Sequence, residues 1–193
     1  MASPTPFELQ PTLVGSLITL RPLKPDDFEA LYSAASDPLI WEQHPDPERY
    51  QREAFESRVF RGGLESGGAF AIIDNSDGRI VGTTRYYEWD PEAREIAIGY
   101  TFLARSHWGG AVNREMKRLL LDHAFRWAKT VWLHIGENNK RSRRATEKLG
   151  AQLSHIEMKG VGVFARPTAF YRIEASTWQG PGMGVKREGG SAV

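Results

Sequence analysis

Two hydrophobic periodicities alternate along the chain, and together they predict a sheet with helices packed on it. Apolar runs with the spacing of strands occupy 17–21, 69–74, 79–89, 95–103, 131–135, 153–158 and 169–175. Helical spacing is clearest over 112–128, where Met116, Leu120, His123 and Trp127 recur at intervals of three and four. Helices are also expected from 24 onward, over 48–60 and over 139–149. The predicted order βααβββαβαββ is typical of an α+β or α/β protein with helices on both faces of its sheet.

The same patterns divide the chain into one domain with two appendages. Residues 1–12 contain three prolines and are expected to form an N-terminal arm. Residues 13–178 carry all the periodic segments and are expected to form a single domain. Residues 179–193 are rich in glycine and have little apolar surface to bury, so a mobile tail is expected.

Composition excludes several function classes. The 193 residues include 25 Lys or Arg and 24 Asp or Glu, for a net charge of +1, so no nucleic-acid or membrane partner is indicated. The absence of cysteine excludes disulfides, thiolate nucleophiles and Cys-ligated metals. The five histidines lack metal-ligand spacing, and no metal is expected. Without a visible leader or an apolar run long enough to cross a bilayer, a cytoplasmic protein is expected.

The sharpest local motif lies between a predicted strand and the longest predicted helix. It reads Trp108-Gly109-Gly110-Ala111-Val112-Asn113. Small residues at a helix start leave backbone N–H groups accessible, and the helix dipole favours an anion there, so the motif suits a pyrophosphate. A plain tight turn explains the glycines equally well. The motif matches neither a Walker A loop nor a GxGxxG fingerprint.

Two basic segments flank this region. Residues 137–148 carry five basic and two acidic side chains, and residues 105–118 carry four and one, which gives each segment a charge of +3. Two basic patches near a helix start point to a polyphosphate ligand. A solvated helix face is the alternative explanation for each charge run.

Taken together, these motifs resemble the GNAT superfamily of acyl-CoA-dependent N-acetyltransferases. The resemblance rests on Trp108, Gly109 and Ala111 at a helix start, on Asn139 and Ser142 after the next strand, and on the Glu-Lys-Leu-Gly sequence at 147–150. The segments 11–15 and 20–23 are similar to those of the RimJ/RimL branch, which acetylates the N-termini of ribosomal proteins. The resemblance covers about residues 10–178. It implies a mixed, mostly antiparallel sheet between two layers of helices.

The resemblance also implies acetyl-CoA as cofactor and a set of residues that bind it. The loop 108–114 would hold the pyrophosphate, the strand end would pair with the pantetheine, Asn139 would hydrogen-bond the pantetheine arm, and Ser142 would approach the sulfur. The implied cofactor-binding residues are Tyr100, Phe102, Leu103, Trp108, Gly109, Gly110, Ala111, Val112, Asn113, Arg114, Asn139, Arg141 and Ser142. Two positions depart from the family pattern. Ser106 replaces a Gln or Arg, and Thr146 replaces a tyrosine that protonates the sulfur in many members.

Transfer to an amine requires a neutral amine, donors for an oxyanion and a proton for the departing thiolate. Glu95, fourteen residues before Gly109, is the first candidate for the base, acting through water. An exposed glutamate paired with Arg94 or Arg79 is the alternative. His134 is the second candidate base, although a buried structural histidine fits its strand position as well. Ser142 or a water molecule would replace the missing tyrosine as the acid, and the alternative for Ser142 is a capping role or a polar position on the surface.

The acceptor is expected to bind between the first two helices and the 38–47 loop. Residues 37–56 carry six acids and two bases, and this charge of −4 predicts attraction of a cationic amine. The aromatic residues Trp41, Tyr86, Tyr87 and Trp89 would line this side or belong to the core. A protein N-terminal α-amine is favoured, because such amines have a pKa near ~7.8 and need little help to lose a proton. A small-molecule acetyltransferase and a silent acyl-CoA-binding module are the rival functions, and either a monomer or a homodimer is compatible with the sequence.

Overall fold

The computed structural model describes residues 7–160 and 165–179. Residues 1–6 of the predicted arm and 180–193 of the predicted tail lie outside the described residues. Within the described part, strands form one mixed sheet in the order β1-β2-β3-β4-β5-β6-β8-β7. Only the pair β5–β6 is parallel, and every other neighbouring pair is antiparallel. The strands are β1 (Leu13–Val14), β2 (Ile18–Pro22), β3 (Ala69–Asp74), β4 (Ile80–Asp90), β5 (Glu95–Leu103), β6 (Thr130–Gly136), β7 (Gln152–Lys159) and β8 (Arg166–Glu174).

Helices connect these strands on both faces of the sheet. The α-helices are α1 (Phe28–Ala35), α2 (Arg52–Phe55), α3 (Arg61–Glu65), α4 (Ala111–Ala124) and α5 (Lys140–Glu147). Short 3₁₀ helices span Pro25–Asp27, Pro38–Ile40, Pro47–Tyr50 and Arg105–His107, and a π-helical turn, Glu56–Phe60, joins α2 to α3. No helix within 7–160 and 165–179 is long and apolar enough to cross a bilayer.

Alternation along the strands builds two cores, one on each face. Side chains such as Ile96 and Ile98 of β5 face α4 and pack with Met116 and Leu120. On the other face, Phe102 packs with Phe55 and other side chains of the α1–α3 layer. The predicted fold class, a mostly antiparallel mixed sheet with helices on both faces, is confirmed.

The structure departs from the predicted elements in three places. The helix expected over 48–60 begins as a 3₁₀ turn at Pro47 and reaches Glu65 through the π-helical turn. The long helix ends at Ala124, because the next residues tighten into i→i+3 bonds at its C-terminus. Residues 7–10 of the predicted arm pack against the domain. Phe7 stacks on Trp89 with ring centroids 4.8 Å apart, and the Gln10 side chain donates to the Ala69 carbonyl.

The sheet opens between β5 and β6. The two strands pair only over Glu95–Ala97 and Thr130–Trp132, after which each bonds only to its other neighbour. A β-bulge accompanies the opening, because Tyr100 and Thr101 together face Thr84 of β4. Tyr100 has φ +51°, which is a strained conformation for a bulky residue. The edge of β5 beyond Ala97 is thus left without a strand partner on this side.

Candidate active site

A cleft of about 1680 Å³ lies at the opening between β5 and β6. Its volume exceeds that of a pocket for one drug-sized ligand, so it has room for two reactants. Most residues assigned to a site from the sequence line it: Trp41, Tyr100, Phe102, Leu103, Trp108, Gly109, Gly110, Asn113, Arg114, His134, Asn139, Arg141 and Ser142.

The glycine turn before α4 forms one end of the cleft. Gly109 has φ +95° and Gly110 has φ +141°, conformations that favour glycine. Gly110 occupies the N-cap position of α4, but it has no side chain that could accept a hydrogen bond from the first turn of the helix. Its carbonyl receives the first intrahelical bond, from the N–H of Arg114. The three preceding N–H groups therefore have no intrahelical acceptor, and they lie at the positive end of the helix dipole.

Basic side chains surround this turn. Lys140, Arg144 and Lys148 lie four residues apart on α5 and therefore on one face of the helix, and all three line the cleft. None of them forms an ion pair with any residue of the described part. We call these three residues and Arg114 the basic end of the cleft. Their charge and the uncapped helix start fit a ligand with several phosphates.

The start of α5 forms the adjoining wall. The Asn139 Oδ1 accepts a hydrogen bond of 3.1 Å from the N–H of Ser142, so Asn139 is the N-cap of this helix. The Arg141 guanidinium lies 4.0 Å from the centre of the Trp108 ring and donates to the Ile40 carbonyl at 3.0 Å. Arg141, expected to bind the cofactor, therefore also ties α5 to the 3₁₀ helix Pro38–Ile40.

His134 lies at the opposite end of the cleft, where it has two donors. The Tyr87 hydroxyl is 3.0 Å and the Lys159 ammonium 2.9 Å from its Nδ1. Burial and then the charge of Lys159 lower the pKa of His134 to about 4. The imidazole is therefore neutral at pH 7, and its Nδ1 lone pair is already engaged.

Glu95 lies outside this cleft, in a smaller cavity of about 280 Å³. Its Oε2 accepts a hydrogen bond of 2.8 Å from the Trp132 indole. The alternative pairing with Arg94 or Arg79 is wrong, because Arg94 donates to the Trp127 carbonyl and Arg79 pairs with Asp77. His134 lines both cavities and stands between Glu95 and the cleft.

Besides Glu95, four sequence-predicted site residues do not line the cleft. Tyr86 is 1% exposed in the core beneath α4, where its hydroxyl donates to the Leu120 carbonyl, and Trp89 packs in the same core. Strand alternation places Tyr87 rather than Tyr86 on the cleft face. The irregularity of β4 between Tyr87 and Asp90, with φ +53° at Glu88, puts Trp89 on the core face with Tyr86. Val112 packs against the α4 core, and Ala111 is also absent from the cleft wall.

The aromatic and acidic features expected to hold the acceptor need correction too. Trp41 lines the cleft, but it is 4% exposed, and its indole donates to the Ala35 carbonyl. The acidic charge expected over 37–56 is largely neutralised. Four of its six acids form ion pairs, in the pairs Asp37–Arg105, Glu42–Arg141, Asp46–Arg49/Arg58 and Glu56–Arg61. This segment therefore does not present a strongly acidic rim.

Sequence reasoning did not name six of the cations that line the cleft among the described residues: Arg49, Arg58, Arg85, Lys117, Lys159 and Arg166. Arg49 and Arg85 lie on the side of α1–α3, and Lys117 reaches in from α4. Burial lowers the pKa of Lys117 to about 8, and its ammonium lies 3.5 Å from the Thr101 hydroxyl. A signal existed for Arg85, since an arginine within the apolar run 79–89 is unusual in a buried strand.

Known proteins resemble this chain in sequence and in fold. The family model "Acetyltransferase (GNAT) domain" matches residues 18–152. The Bacillus subtilis (strain 168) protein "Probable N-acetyltransferase YjcK" is 34% identical over 97 residues, which are 49% of this chain and only 53% of that protein. A GCN5-related N-acetyltransferase from Brucella melitensis has a TM-score of 0.80 at 22% identity, over 90% of this chain and 82% of the other.

A further similar structure is that of the microcin C7 self-immunity acetyltransferase MccE in complex with acetyl-CoA and AMP. Its TM-score is 0.70 at 14% identity, over 86% of this chain and 98% of the other. At this identity, as for the Brucella protein, the likeness concerns the fold alone. The family model, in contrast, spans more than half of the chain. The chain therefore belongs to the GNAT family of acetyltransferases.

Proposed function

We propose that this protein is an acetyl-CoA-dependent N-acetyltransferase in which a primary amine attacks the acetyl group directly in a ternary complex. The observation that carries the proposal is the unpaired edge of β5 beyond Ala97, which leads toward the glycine turn at the start of α4. An unpaired strand edge offers backbone donors and acceptors to a ligand with amide groups. The chain has no cysteine to carry a covalent acyl intermediate, which favours direct attack.

The residues of the cleft fit an acyl-CoA. When bound, acetyl-CoA supplies an acetyl group activated as a thioester. The backbone N–H groups of 111–113 and the basic end of the cleft would hold its phosphates. The edge of β5 around Tyr100 and the side chain of Asn139 would bind its amides. The structural similarity to MccE, which binds acetyl-CoA, agrees with this assignment.

Proton transfer is the least demanding part of the proposed reaction. His134 is a weak base because its pKa is about 4. Glu95 remains our proposed base, acting through water beside His134, which lines both cavities. Ser142 lines the cleft at the start of α5, and its hydroxyl is our proposed donor to the departing thiolate. A modest base suffices for an amine with a pKa near ~7.8, of which roughly 10–15% is neutral at pH 7.

These considerations favour an α-amine as the acceptor. A lysine side chain with a pKa near ~10.4 would be neutral about once in 2,500 at pH 7 and would need a stronger base. We infer a RimJ/RimL-like protein from the similarity of segments 11–15 and 20–23, which makes a peptide N-terminus one candidate acceptor. The α-amine of a small molecule is the other.

Two measurements test the proposal. Saturating acetyl-CoA at 100 times its Kd stabilises the folded state by ~2.7 kcal/mol, which raises Tm by roughly 5–10 °C for a chain of this size. Released CoA is then followed with a thiol reagent, to which the cysteine-free chain adds no background. No stabilisation at millimolar acetyl-CoA would refute cofactor binding. Stabilisation without CoA release for any amine would instead indicate a silent acyl-CoA-binding module.

Glu95→Gln tests the proposed base, and Glu92→Gln is its matched control in the exposed turn before β5. Glu95→Gln is expected to lower kcat up to about 10-fold at pH 7 without changing the KM for acetyl-CoA, because roughly 10–15% of an amine with a pKa near ~7.8 is already neutral at that pH. The deficit should shrink as the pH rises above the pKa of the amine, because the acceptor then loses its proton to solvent. A kcat equal to that of Glu92→Gln at every pH would exclude Glu95.

A further inference from the structure

Arg85 is a cation in the cleft that has no carboxylate partner among residues 7–160 and 165–179. Its Nε is buried and has no hydrogen-bond partner in the described part of the chain. The titratable groups that act on it are two tyrosines, Tyr100 and Tyr87, and a second arginine, Arg49, with no Asp or Glu among them. Natural proteins rarely leave a buried polar atom unpaired, and such an atom at a functional site calls for an explanation.

Arg85 stands beside the opening of the sheet. It pairs with Gly99 of β5, two residues beyond Ala97, where β5 and β6 separate. Its guanidinium lies 4.2 Å from the centre of the Tyr100 ring. A guanidinium stacked on an aromatic ring keeps its N–H edge free to bind a planar anion. Arg85 is therefore held in place by packing, while its Nε–H is not used by any acceptor in the described part of the chain.

A second guanidinium adds to the positive charge. Arg49 lines the same cleft, and its positive charge repels that of Arg85. Its partner is Asp46 at 3.2 Å, but Asp46 also binds Arg58 at 3.0 Å. One carboxylate thus serves two arginines, and Arg85 has none. Glu48, the other acid on the cleft wall, is exposed and makes no ion pair within the described residues.

These arginines are separate from the basic end of the cleft. Arg85 lies on the face of the sheet that α1–α3 cover, whereas α4 and its glycine turn pack on the opposite face. Gly99, which pairs with Arg85, lies four residues before Leu103, the last residue of β5 before the chain reaches the glycine turn. Four residues of a strand span ~13 Å. Phosphates bound at the start of α4 would therefore not neutralise Arg85.

We propose that the acceptor amine also carries a carboxylate, and that Arg85, assisted by Arg49, binds it. The inference rests on the proposed N-acetyltransferase function and specifies its acceptor. Two sources share this chemistry: a free amino acid, and an acidic side chain next to a peptide N-terminus. The carboxylate would offset the repulsion between the cleft and a cationic amine. The same arginines would favour the neutral, nucleophilic form of that amine, because like charges disfavour the ammonium.

The test compares acceptors with and without the carboxylate, and kcat/KM is expressed per neutral amine, because amidation of a free amino acid also lowers the pKa of its α-amine. CoA release and product mass are measured for a mixture of free amino acids, for the same amino acids as α-amides, and for amidated tripeptides that begin with Glu or with Gln. The wild-type protein is expected to prefer the carboxylate-bearing member of a pair at least 10-fold in kcat/KM. Preference for the free acids identifies a small-molecule acceptor, and preference for the Glu peptide identifies a peptide N-terminus. Equal rates for acids and amides, and for Glu and Gln peptides, would overturn the inference.

Arg85→Gln links the preference to this side chain. It should lower kcat/KM for carboxylate acceptors about 10- to 100-fold and leave the amides within about 2-fold. Arg79→Gln, the same change on an exposed turn, should alter neither. The stabilisation by acetyl-CoA should persist in both variants, which separates this test from that of the proposed function. If Arg85→Gln does not fold, the ratio of kcat/KM for acids to that for amides is compared between Arg85→Lys and wild type instead. An undiminished preference in a folded Arg85 variant would refute the assignment.

Discussion

The carboxylate of Glu115 is expected to fix the start of α4 to the N-terminal strands, and its removal should destabilise the whole domain. It accepts four hydrogen bonds, from the hydroxyl and N–H of Ser16 and from the N–H groups of Leu17 and Ile18, at 2.6–3.0 Å. Gly15 completes the contact, because a Cβ there would lie 2.6 Å from the carboxylate. The perturbation is Glu115→Gln, which keeps the shape of the side chain and removes its charge.

The expected loss follows from these four bonds. An amide oxygen can keep about two of them, while the amide nitrogen is a donor that faces other donors. A hydrogen bond to a charged group contributes ~1.5–3 kcal/mol, so losing two costs about 3–6 kcal/mol. At about 2–4 °C per kcal/mol for a chain of this length, Tm should fall by about 6–24 °C.

Lowering the pH should reduce the difference in stability between wild type and Glu115→Gln. Burial raises the pKa of Glu115, but the donors Ser16, Leu17 and Ile18 outweigh it, and the pKa ends below its usual value. A carboxyl with a lowered folded-state pKa stabilises the protein above its unfolded pKa and loses that effect as the pH falls through the folded value. The gap in unfolding free energy between wild type and Glu115→Gln should therefore narrow between about pH 4.5 and pH 3.

Urea unfolding at 25 °C, followed by circular dichroism across this pH range, measures the gap. Glu92→Gln, in an exposed turn, serves as the control and should behave like wild type. A Glu115→Gln midpoint within error of wild type at pH 7 would refute the hydrogen-bond argument. A gap that stays constant down to pH 3 would refute the charge argument.

Three further predictions concern the cleft. Burial lowers the pKa of Lys117, so its charged form destabilises the folded state. Lys117→Met should therefore raise the free energy of unfolding at pH 7 by about 1 kcal/mol, measured by urea unfolding. The stability of the wild type should rise as the pH increases from about 8 toward 10.5. Gly110→Ala should cost ~1 kcal/mol of stability, since φ is +141° there, and should weaken acetyl-CoA binding measured by calorimetry at least 10-fold. Tyr86→Phe should lower stability by ~1–3 kcal/mol without changing acceptor KM, because its hydroxyl donates to a buried carbonyl. Tyr87→Phe, in the cleft, should change acceptor kinetics and leave Tm within about 3 °C; equal effects of the two tyrosine variants would contradict the assigned strand faces.

Strand and helix periodicity predicted most of this fold. The runs at 69–74 and 95–103 coincide with β3 and β5, because apolar residues dominate both and turns bound them. The glycine turn was also predictable, since Gly109 and Gly110 adopt positive φ where a strand passes into a helix. Local pattern therefore identified both the sheet and the glycine turn at one end of the cleft.

Pattern could not assign faces on irregular strands. Tyr86 and Tyr87 are the same type of residue with the same strand propensity, and only the pairing of β4 with its neighbours decides which one faces the cleft. Net charge over 37–56 was similarly uninformative, because arginines distant in sequence, such as Arg105 and Arg141, neutralise its acids. Partners contributed by other elements are not visible in a local window, so charge sums predict a surface potential poorly.

Three unfavourable features that local rules did not predict lie where the sheet opens. Tyr100 occupies a strained backbone conformation, Lys117 is buried with only a weak contact to Thr101, and Arg85 has an unpaired Nε. Each feature destabilises the free protein, and each borders the unpaired edge of β5. Local violations of folding rules persist when the surrounding structure enforces them, and they concentrate at functional sites. A ligand that pairs with the strand edge and an acceptor that pairs with Arg85 would relieve separate parts of this cost. Binding of the two should therefore stabilise the protein additively, with acetyl-CoA acting through the strand edge and the carboxylate through the arginine.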